Sequence, residues 1–511
     1  MKEKIVNLIA DHVEGMTAEE IATFIEIPPK QELGDYAFPC FRLAKTMHKA
    51  PNLIAADIKE AIGDVDFLDK IDVQGAYLNF FVKKDIFVQT MIEAALKDNF
   101  GGSDEGTDKV ICIDYSSPNV AKNFHVGHLR TTIIGNSLYK IYSKLGYKVI
   151  RINHLGDWGT QFGKLIVAYK NWGTKEAVEK DGVAELMRLY VKFHEEADKN
   201  PELVDEARAW FSKMEHGDEE ALSIWQWFKD ISLVEYKRTY DLLGMDFDYY
   251  LGESFYRDKC QEVVDQLTNA NLLKESEGAM IVDLSDYDMA PCIVTKKDGS
   301  SIYATRDLAA IFYRKNTYHF TKCLYVTGQE QKLHFAQVFK VVELLGNDWA
   351  KDSLVHIPYG LVSLEGAKLS TRSGNIIYAE DILHDAIKKS FEIISEKSPN
   401  LPDKEEVAKI VGVGSVLFND LYNQRIKDVS FSWDKVLNFD GETGPYVQYT
   451  HARCSSVVRL AENFDPAKPV DYSTISEPDA MNLLKEINRF PKVVSDAAEK
   501  YKICCRCCSG I

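Results

Sequence analysis

Two histidines three residues apart flank a glycine in the segment HVGH, where His125 and His128 surround Gly127. An amphipathic pattern follows at once, so the pair stands at the predicted N-terminus of a helix. Imidazoles can donate N–H bonds, and the first backbone amides of a helix add a positive dipole end. This combination suits the stabilisation of charge on phosphate oxygens. A chance pair on a surface loop is the alternative that so short a motif leaves open.

A second segment, KLSTR, places Lys368 and Ser370 in the glycine-containing loop EGAKLSTRSGN. Attack on the α-phosphate of ATP develops charge on equatorial oxygens, and the protein then mainly positions the reactants and supplies donors. A lysine loop and a histidine pair at a helix start fit adenylyl transfer. Gly127 has no side chain, so an adenine ring could lie against its backbone.

The elements around the histidine pair read as strand, loop, helix and strand. The apolar run at 109–115 is typical of a buried parallel strand, and 148–153 is the next one. Between them, apolar residues recur from Leu129 to Leu145, and Gly146 is a natural helix C-cap. Ligands bind at the crossover loop of such a unit, and this position favours a binding site over a chance histidine pair on a surface loop.

The rest of the chain divides at the glycine-rich linker 100–108. Before it we expect a small α+β domain, and after it strands that alternate with helices. A long helical segment at about 160–295 is read as an insertion. A strand at 322–328 and a helix from about 332 to 345 restore the alternation. From about 380 onward the pattern is helical, with no further strand.

Composition limits the class of protein. A chain of 511 residues needs several domains, and no apolar run approaches membrane-spanning length. The net charge of -17 argues against a nonspecific nucleic-acid coat. Residues 116–170 nevertheless carry eight Lys/Arg against one acid, Asp157, which marks a candidate anion site or, alternatively, a solvated helix face. Singly scattered cysteines indicate a reducing, cytoplasmic compartment.

At this point the sequence resembles a known family. HVGH with KLSTR resembles the HIGH and KMSKS pair of class I aminoacyl-tRNA synthetases, and the flanking stretches, from about residue 34 to 460, resemble arginyl-tRNA synthetases of the bacterial type. The stretches that carry the likeness are DYSSPNVAKNFHVGHLRTTIIGNSL, INHLGDWGTQFGKLI, IYATRDLAA, TGQEQKLHFAQVF and FDGETGPYVQYTHAR.

The resemblance implies an α/β fold with three domains. Residues 1–100 would form an N-terminal α+β domain that contacts the outer corner of tRNA, and 109–378 a Rossmann-like parallel-sheet catalytic domain with the helical insertion. Residues 379–511 would form an all-α anticodon-binding domain. The implied reaction joins L-arginine to tRNA(Arg) through arginyl-adenylate, with ATP and Mg²⁺. We expect a monomer without metal-ligating side chains. We also expect no editing role for the insertion, because a pocket that hydrogen-bonds the guanidinium fork of arginine already rejects other amino acids.

The resemblance also assigns site residues. Lys368 and Ser370 would join the histidine pair on ATP, and Lys122 would supply the charge missing where Thr371 replaces the second KMSKS lysine. Carboxylates suit the planar guanidinium fork of arginine. The implied arginine-binding residues are Asp114, Asn119, His154, Tyr303, Asp307 and Gln331.

Each assignment has a plainer structural alternative. Asp114 could be a strand-end acid in an ion pair, Tyr303 a core aromatic, Gln331 a helix-start cap and Asp307 an N-terminal helix acid. Lys122 could be a solvated loop lysine. Two rival functions also stay open, namely a small-molecule nucleotidylyltransferase and a non-catalytic or impaired RNA-binding synthetase paralogue.

The end of the chain, KYKICCRCCSGI, departs from the helical pattern before it. Adjacent cysteine pairs suit tetrahedral zinc poorly, and no histidine lies nearby. We expect a frameshifted or truncated end and an incomplete helical domain, with an unusual native terminus as the alternative. An incomplete helical domain predicts an intact active-site fold, weak tRNA binding, little aminoacylation and aggregation.

Overall fold

A computed structural model of the chain describes residues 1–13, 15–28, 30–297, 302–364, 378–438, 441–461 and 468–503. The chain forms two compact units. The first comprises Met1–Ser103 together with residues 468–495, and the second comprises Asp104–Ala461 together with residues 496–503. None of the described helices is long and apolar enough to span a bilayer.

The first unit is an antiparallel sheet of order β1-β3-β2 covered by helices, as the α+β prediction requires. In β3 the alternate residues Leu78, Phe80 and Val82 are buried, which is the two-residue period of a half-buried strand. The elements are β1 (Tyr36–Pro39), β2 (Leu68–Gln74), β3 (Tyr77–Val82), α1 (Lys2–Ala10), α2 (Ala18–Phe24), α3 (Ala44–Met47), α4 (Pro51–Ile62), α5 (Lys84–Ala95) and the 3-10 helices Gln31–Leu33 and Cys40–Arg42.

The second unit is built on a parallel sheet of order β11-β10-β4-β5-β6. The predicted strands and the helix between the first two are confirmed, and Ile111, Cys112 and Ile113 of the central strand are buried on both faces. The sheet elements are β4 (Val110–Asp114), α6 (Val126–Lys144), β5 (Lys148–Asn153), β6 (Tyr249–Tyr250), α14 (Tyr303–Tyr318), β10 (Lys322–Gly328), α15 (Lys332–Leu344), α16 (Ala350–Ser353), β11 (Leu354–Tyr359) and the 3-10 helix Gln329–Gln331.

The insertion is mainly helical, as predicted, but it ends in an antiparallel sheet of order β7-β8-β9. A two-residue turn joins the first two strands, and both of its residues, Glu277 and Gly278, have positive φ. Its elements are α7 (Thr160–Trp172), α8 (Lys175–Asp181), α9 (Val183–Ala197), α10 (Glu202–Glu215), α11 (Glu219–Leu243), α12 (Glu253–Tyr256), α13 (Cys260–Asn269), β7 (Leu273–Ser276), β8 (Ala279–Val282), β9 (Cys292–Thr295) and the 3-10 helices Arg257–Lys259 and Ser285–Tyr287.

After about residue 380, the described part of the chain is helical except for one strand. The expectation of no strand after about 380 is wrong, because Val429–Phe431 pairs in parallel with Val362–Leu364. The elements are β12 (Val362–Leu364), α17 (Ala379–Lys397), α18 (Lys404–Tyr422), β13 (Val429–Phe431), α19 (Trp433–Val436), α20 (Gly444–Leu460), the 3-10 helix Tyr472–Thr474 and α21 (Pro478–Glu499).

These helices divide between the two units. In the first unit, Met481 and Leu484 of α21 join the core, and Lys485 pairs with Asp35 at 2.8 Å. In the second unit, α17 to α20 pack beside the parallel sheet domain. The cysteine-rich end from 504 lies outside the described residues.

Candidate active site

The histidine pair caps helix α6 reciprocally. Nδ1 of His125 accepts the backbone N–H of Gly127 at 3.1 Å, and Nδ1 of His128 accepts the N–H of His125 at 3.3 Å. The two rings stack with centroids 3.8 Å apart. A Cβ at position 127 would lie 2.9 Å from the His125 ring, so the glycine is required for this stacking. The pair is therefore a built structure and not a chance pair on a loop.

The capping bonds define what the imidazoles present to a ligand. An Nδ1 that accepts a backbone N–H carries no proton, so each neutral ring carries its proton on Nε2. Burial lowers the pKa of His125 and lowers that of His128 further, and the charge of Lys122 acts in the same direction on both. Both rings are thus neutral Nε2–H donors near neutral pH.

The loop before the helix has an unusual backbone. Ser116, Ser117 and Ala121 all have φ between 48° and 70°, a region that side chains disfavour. The hydroxyl of Tyr236 on α11 holds this loop by donating to the carbonyls of residues 119 and 122 at 2.6 and 2.7 Å. The insertion therefore fixes the shape of the loop that carries the candidate residues.

Lys122 is half-buried in this loop, so it is not the freely solvated lysine of the alternative interpretation. Burial lowers the pKa of its amine. Asn119 is exposed on the same loop, and its backbone forms a bridge with Gly156. A Cβ at Gly156 would lie 2.0 Å from the Asn119 side-chain oxygen, so these two residues are matched in size.

Asp114 lies at the carboxyl end of β4 in a buried ion pair with Arg314 of α14. Its Oδ2 is 2.8 Å from Nη2 of Arg314, and its Oδ1 accepts the hydroxyl of Ser117 at 2.9 Å. Nη2 of Arg314 also contacts Nδ1 of His154 at 3.2 Å. The ion-pair interpretation of Asp114 is therefore confirmed, and His154 is tied to the same guanidinium.

Asp307 has a different partner. Its Oδ2 lies 2.6 Å from Nε2 of His334 on α15, and the two side chains are 22% and 30% exposed. Asp307 is the fifth residue of α14, so it lies beyond the first turn and the interpretation as an N-terminal helix acid is wrong. This carboxylate is accessible from solvent, unlike Asp114.

Tyr303 and Gln331 lie at the starts of α14 and α15. Tyr303 is 63% exposed, so it is not a core aromatic. Gln331 occupies the N-cap position of α15, but its side chain makes no capping hydrogen bond. Below Tyr303, Arg306 pairs with Glu253 at 3.1 Å. Both predicted side chains are thus exposed at the starts of their helices.

Asp157, the single acid of the basic segment, has a structural role. It is fully buried, pairs with Lys229 at 2.6 Å and accepts the backbone and hydroxyl of Ser254. A Cβ at Gly252 would lie 2.3 Å from its carboxylate. Its negative charge is thus compensated inside the protein and does not face the candidate phosphate site.

Lys368, Ser370 and Thr371 lie outside the described residues, but the segments on either side are well anchored. Before them, β12 pairs with β13, and after them Tyr378 forms a backbone bridge with His125. Arg130 of α6 is buried and donates to the carbonyls of residues 361, 425 and 427. Both flanks therefore adjoin the histidine helix.

Three neighbours of the candidate acids were missed from the sequence. Arg314, His334 and Ser117 contact the two candidate acids directly. One signal was available, because Arg314 follows Asp307 by seven residues and so lies on the same face of a helix. Among the described residues, no group of three or more His, Cys, Asp or Glu side chains could hold a metal ion.

Comparison with family profiles gives three matches along the chain. Residues 90–433 match the family described as tRNA synthetases class I (R), catalytic domain. Residues 2–82 match the arginyl tRNA synthetase N terminal domain, and residues 447–508 match the DALR anticodon binding domain. The likeness thus extends beyond the 34–460 range taken from the motifs.

Whole proteins agree with these matches. The chain is 56% identical to the arginine–tRNA ligase of Alkaliphilus metalliredigens and 54% identical to that of Clostridioides difficile, over 98% of this chain and 88% of each relative. Among solved structures, the arginyl-tRNA synthetase of Thermus thermophilus matches with a TM-score of 0.81 and 24% identity, over 98% of this chain and 88% of that one. This structural match supports the fold.

Proposed function

The chain belongs to the arginyl-tRNA synthetase family of class I enzymes, and on this premise we propose how its residues perform the reaction of an arginine–tRNA ligase. The carboxylate of arginine attacks the α-phosphate of ATP, which forms arginyl-adenylate and releases pyrophosphate. The arginyl group then passes to the terminal adenosine of tRNA(Arg). The similarity to relatives named arginine–tRNA ligases favours this activity over a non-catalytic paralogue.

ATP binds at the start of α6. The observation that carries this proposal is the reciprocal cap, because it leaves two neutral Nε2–H donors beside the helix N-terminus. Lys122 adds positive charge from the preceding loop. Lys368 and Ser370 are assigned to the phosphates by their motif, and the described flanks of their segment adjoin α6.

Arginine binds between the carboxyl ends of β4 and β10 and the start of α14. Asp307 is the accessible carboxylate and receives the substrate guanidinium directly. Asp114 supports the pocket through Arg314 and, with a free lone pair on each oxygen, can accept one further donor. Around them stand the other predicted contacts, which are His154, Tyr303, Asn119 and Gln331.

Magnesium enters with ATP. Phosphate oxygens are preferred ligands of Mg²⁺, and the described side chains offer no cluster of their own. Residues 1–100 and the helices after 379 are assigned to tRNA contacts, supported by the profile matches at both ends of the chain. We assign the enzyme to the cytoplasm and expect it to act as a monomer.

ATP–pyrophosphate exchange tests the proposal. Each amino acid is supplied in turn, with and without tRNA(Arg) transcript. We expect exchange only when the amino acid is arginine, and we expect the transcript to promote this exchange strongly. Robust exchange with another amino acid would overturn the substrate assignment, and exchange that ignores the transcript would overturn the predicted dependence on tRNA.

A further inference from the structure

The acids around the arginine pocket are mostly matched by permanent cations of the chain itself. Asp114 pairs with Arg314 at 2.8 Å, Asp157 pairs with Lys229 at 2.6 Å, and Glu253 pairs with Arg306 at 3.1 Å. Arginine and lysine stay charged at every physiological pH. A substrate guanidinium gains little from acids whose charge is already compensated in this way.

Asp307 is the exception among these acids, because its partner is a histidine. The distance of 2.6 Å between Oδ2 and Nε2 of His334 is that of a strong hydrogen bond. A neutral His334 donates one N–H and leaves the carboxylate charge intact. A protonated His334 would cancel that charge. The attraction of this acid for a cationic substrate therefore depends on a proton.

Within the described ranges of the chain, no second carboxylate forms an ion pair or a hydrogen bond with His334. Asp307 faces it from α14 and His356 from β11. Glu253 of α12, His154 and Cys292 of β9 act electrostatically on Asp307. The segment of His334 itself also carries Lys332 and Glu330. Lys332 acts electrostatically on His356. Burial lowers the pKa of His356 to about 4, so this second imidazole is neutral near neutral pH.

We propose that His334 is a positioning residue for arginine recognition, which holds Oδ2 of Asp307 and makes arginine binding compete with its own protonation. The neutral imidazole fixes the carboxylate so that Oδ1 and the full negative charge face the substrate. The imidazolium form weakens binding of arginine and leaves binding of ATP unchanged. This inference rests on the proposed pocket.

Two substitutions separate the positioning bond from the charge. His334→Gln keeps an N–H donor of similar reach that cannot be protonated, and His334→Lys keeps a donor that is always charged. The exposed His216 follows α10 as its C-cap and is hydrogen-bonded to the last turn of that helix, so His216→Gln provides a matched control. Thermal unfolding of all variants checks that the fold is retained.

The measurements are the KM values for arginine and for ATP in tRNA-supported exchange, from about pH 8.5 to about pH 6. In the parent, the arginine KM should rise as the pH falls. His334→Gln should flatten this rise, and His334→Lys should raise the arginine KM by about tenfold or more at every pH. The ATP KM should follow the parent in every variant.

Calorimetry gives an independent readout of the same coupling. Arginine titrations at about pH 6 in two buffers of different ionisation enthalpy should show proton release by the parent and none by His334→Gln. An unchanged pH profile with continued proton release in His334→Gln would overturn the proposal. Equal changes in kcat and in both KM values would also overturn it, since they would indicate a merely structural role. Exchange by the parent with arginine tests the proposed function separately.

Discussion

Replacing Asp307 by asparagine removes one negative charge from the proposed pocket with almost no change in shape. The asparagine oxygen can still accept the Nε2–H of His334, so the local packing is retained. What disappears is the charge that faces the substrate guanidinium. The perturbation therefore isolates one charge-assisted contact in a partly buried site.

The size of the expected loss follows from the limited solvent exposure of Asp307 and from the charge of the substrate guanidinium. A hydrogen bond to a charged group contributes about 1.5–3 kcal/mol, and the remaining attraction across a site that is only 22% exposed adds to it. We expect kcat/KM for arginine to fall by about 2 to 4 kcal/mol, which is about 30- to 1000-fold. The KM for ATP should move little, because the histidine pair is unaltered.

Exchange kinetics with varied arginine and varied ATP measure both quantities. Asp258→Asn is the matched control, since this acid is 79% exposed and pairs with its sequence neighbour Arg257. Parent-like arginine kinetics in Asp307→Asn would refute the pocket assignment. A parallel rise in the ATP KM would refute the separation of the two sites.

Three further outcomes are expected. Lys122→Ala should slow adenylate formation much more than it weakens arginine binding, and Thr371→Lys in that background should restore part of the rate; a silent Lys122→Ala would contradict the compensation. Gly135→Ala should lower the free energy of unfolding by about 1–3 kcal/mol in denaturant titration, because its Cβ would lie 2.1 Å from a buried tyrosine ring; unchanged stability would contradict this packing. Because burial lowers the pKa of His125 and His128, the ATP KM should stay constant from about pH 8 to about pH 6. At lower pH the free energy of unfolding should fall, because protonation removes the two capping acceptors. An ATP KM that already rises near pH 7 would be the contrary result.

Hydrophobic patterning predicted the strands and helices that the sheet buries. β4 and β5 lie within one residue of their predicted bounds and α6 within three, because each element buries a continuous apolar run or stripe. β6 and β13 were not predicted, since strands of two and three residues are too short for any period. Their pairing partners decide their structure.

The candidate residues were predicted by motif, but their partners were not. His125, His128 and Lys122 are close in sequence, so one loop and one helix start place them together. Asp114 and Arg314 are brought together only when β4 and α14 pack, which no local pattern specifies. The same holds for Asp307 and His334, whose pairing needs α14 to meet α15.

The pairing of β12 with β13 decides whether the parallel-sheet domain and the helices after it can fold separately. These strands come from opposite sides of the boundary expected near residue 378, and the buried guanidinium of Arg130 donates to carbonyls on both sides of it. A fragment that stopped at this boundary would leave the buried guanidinium of Arg130 without two of its carbonyl acceptors and would leave β12 without its partner strand. The parallel sheet and helices α17 to α20 should therefore unfold in one cooperative transition, and recombination between family members at this boundary should yield insoluble chimeras.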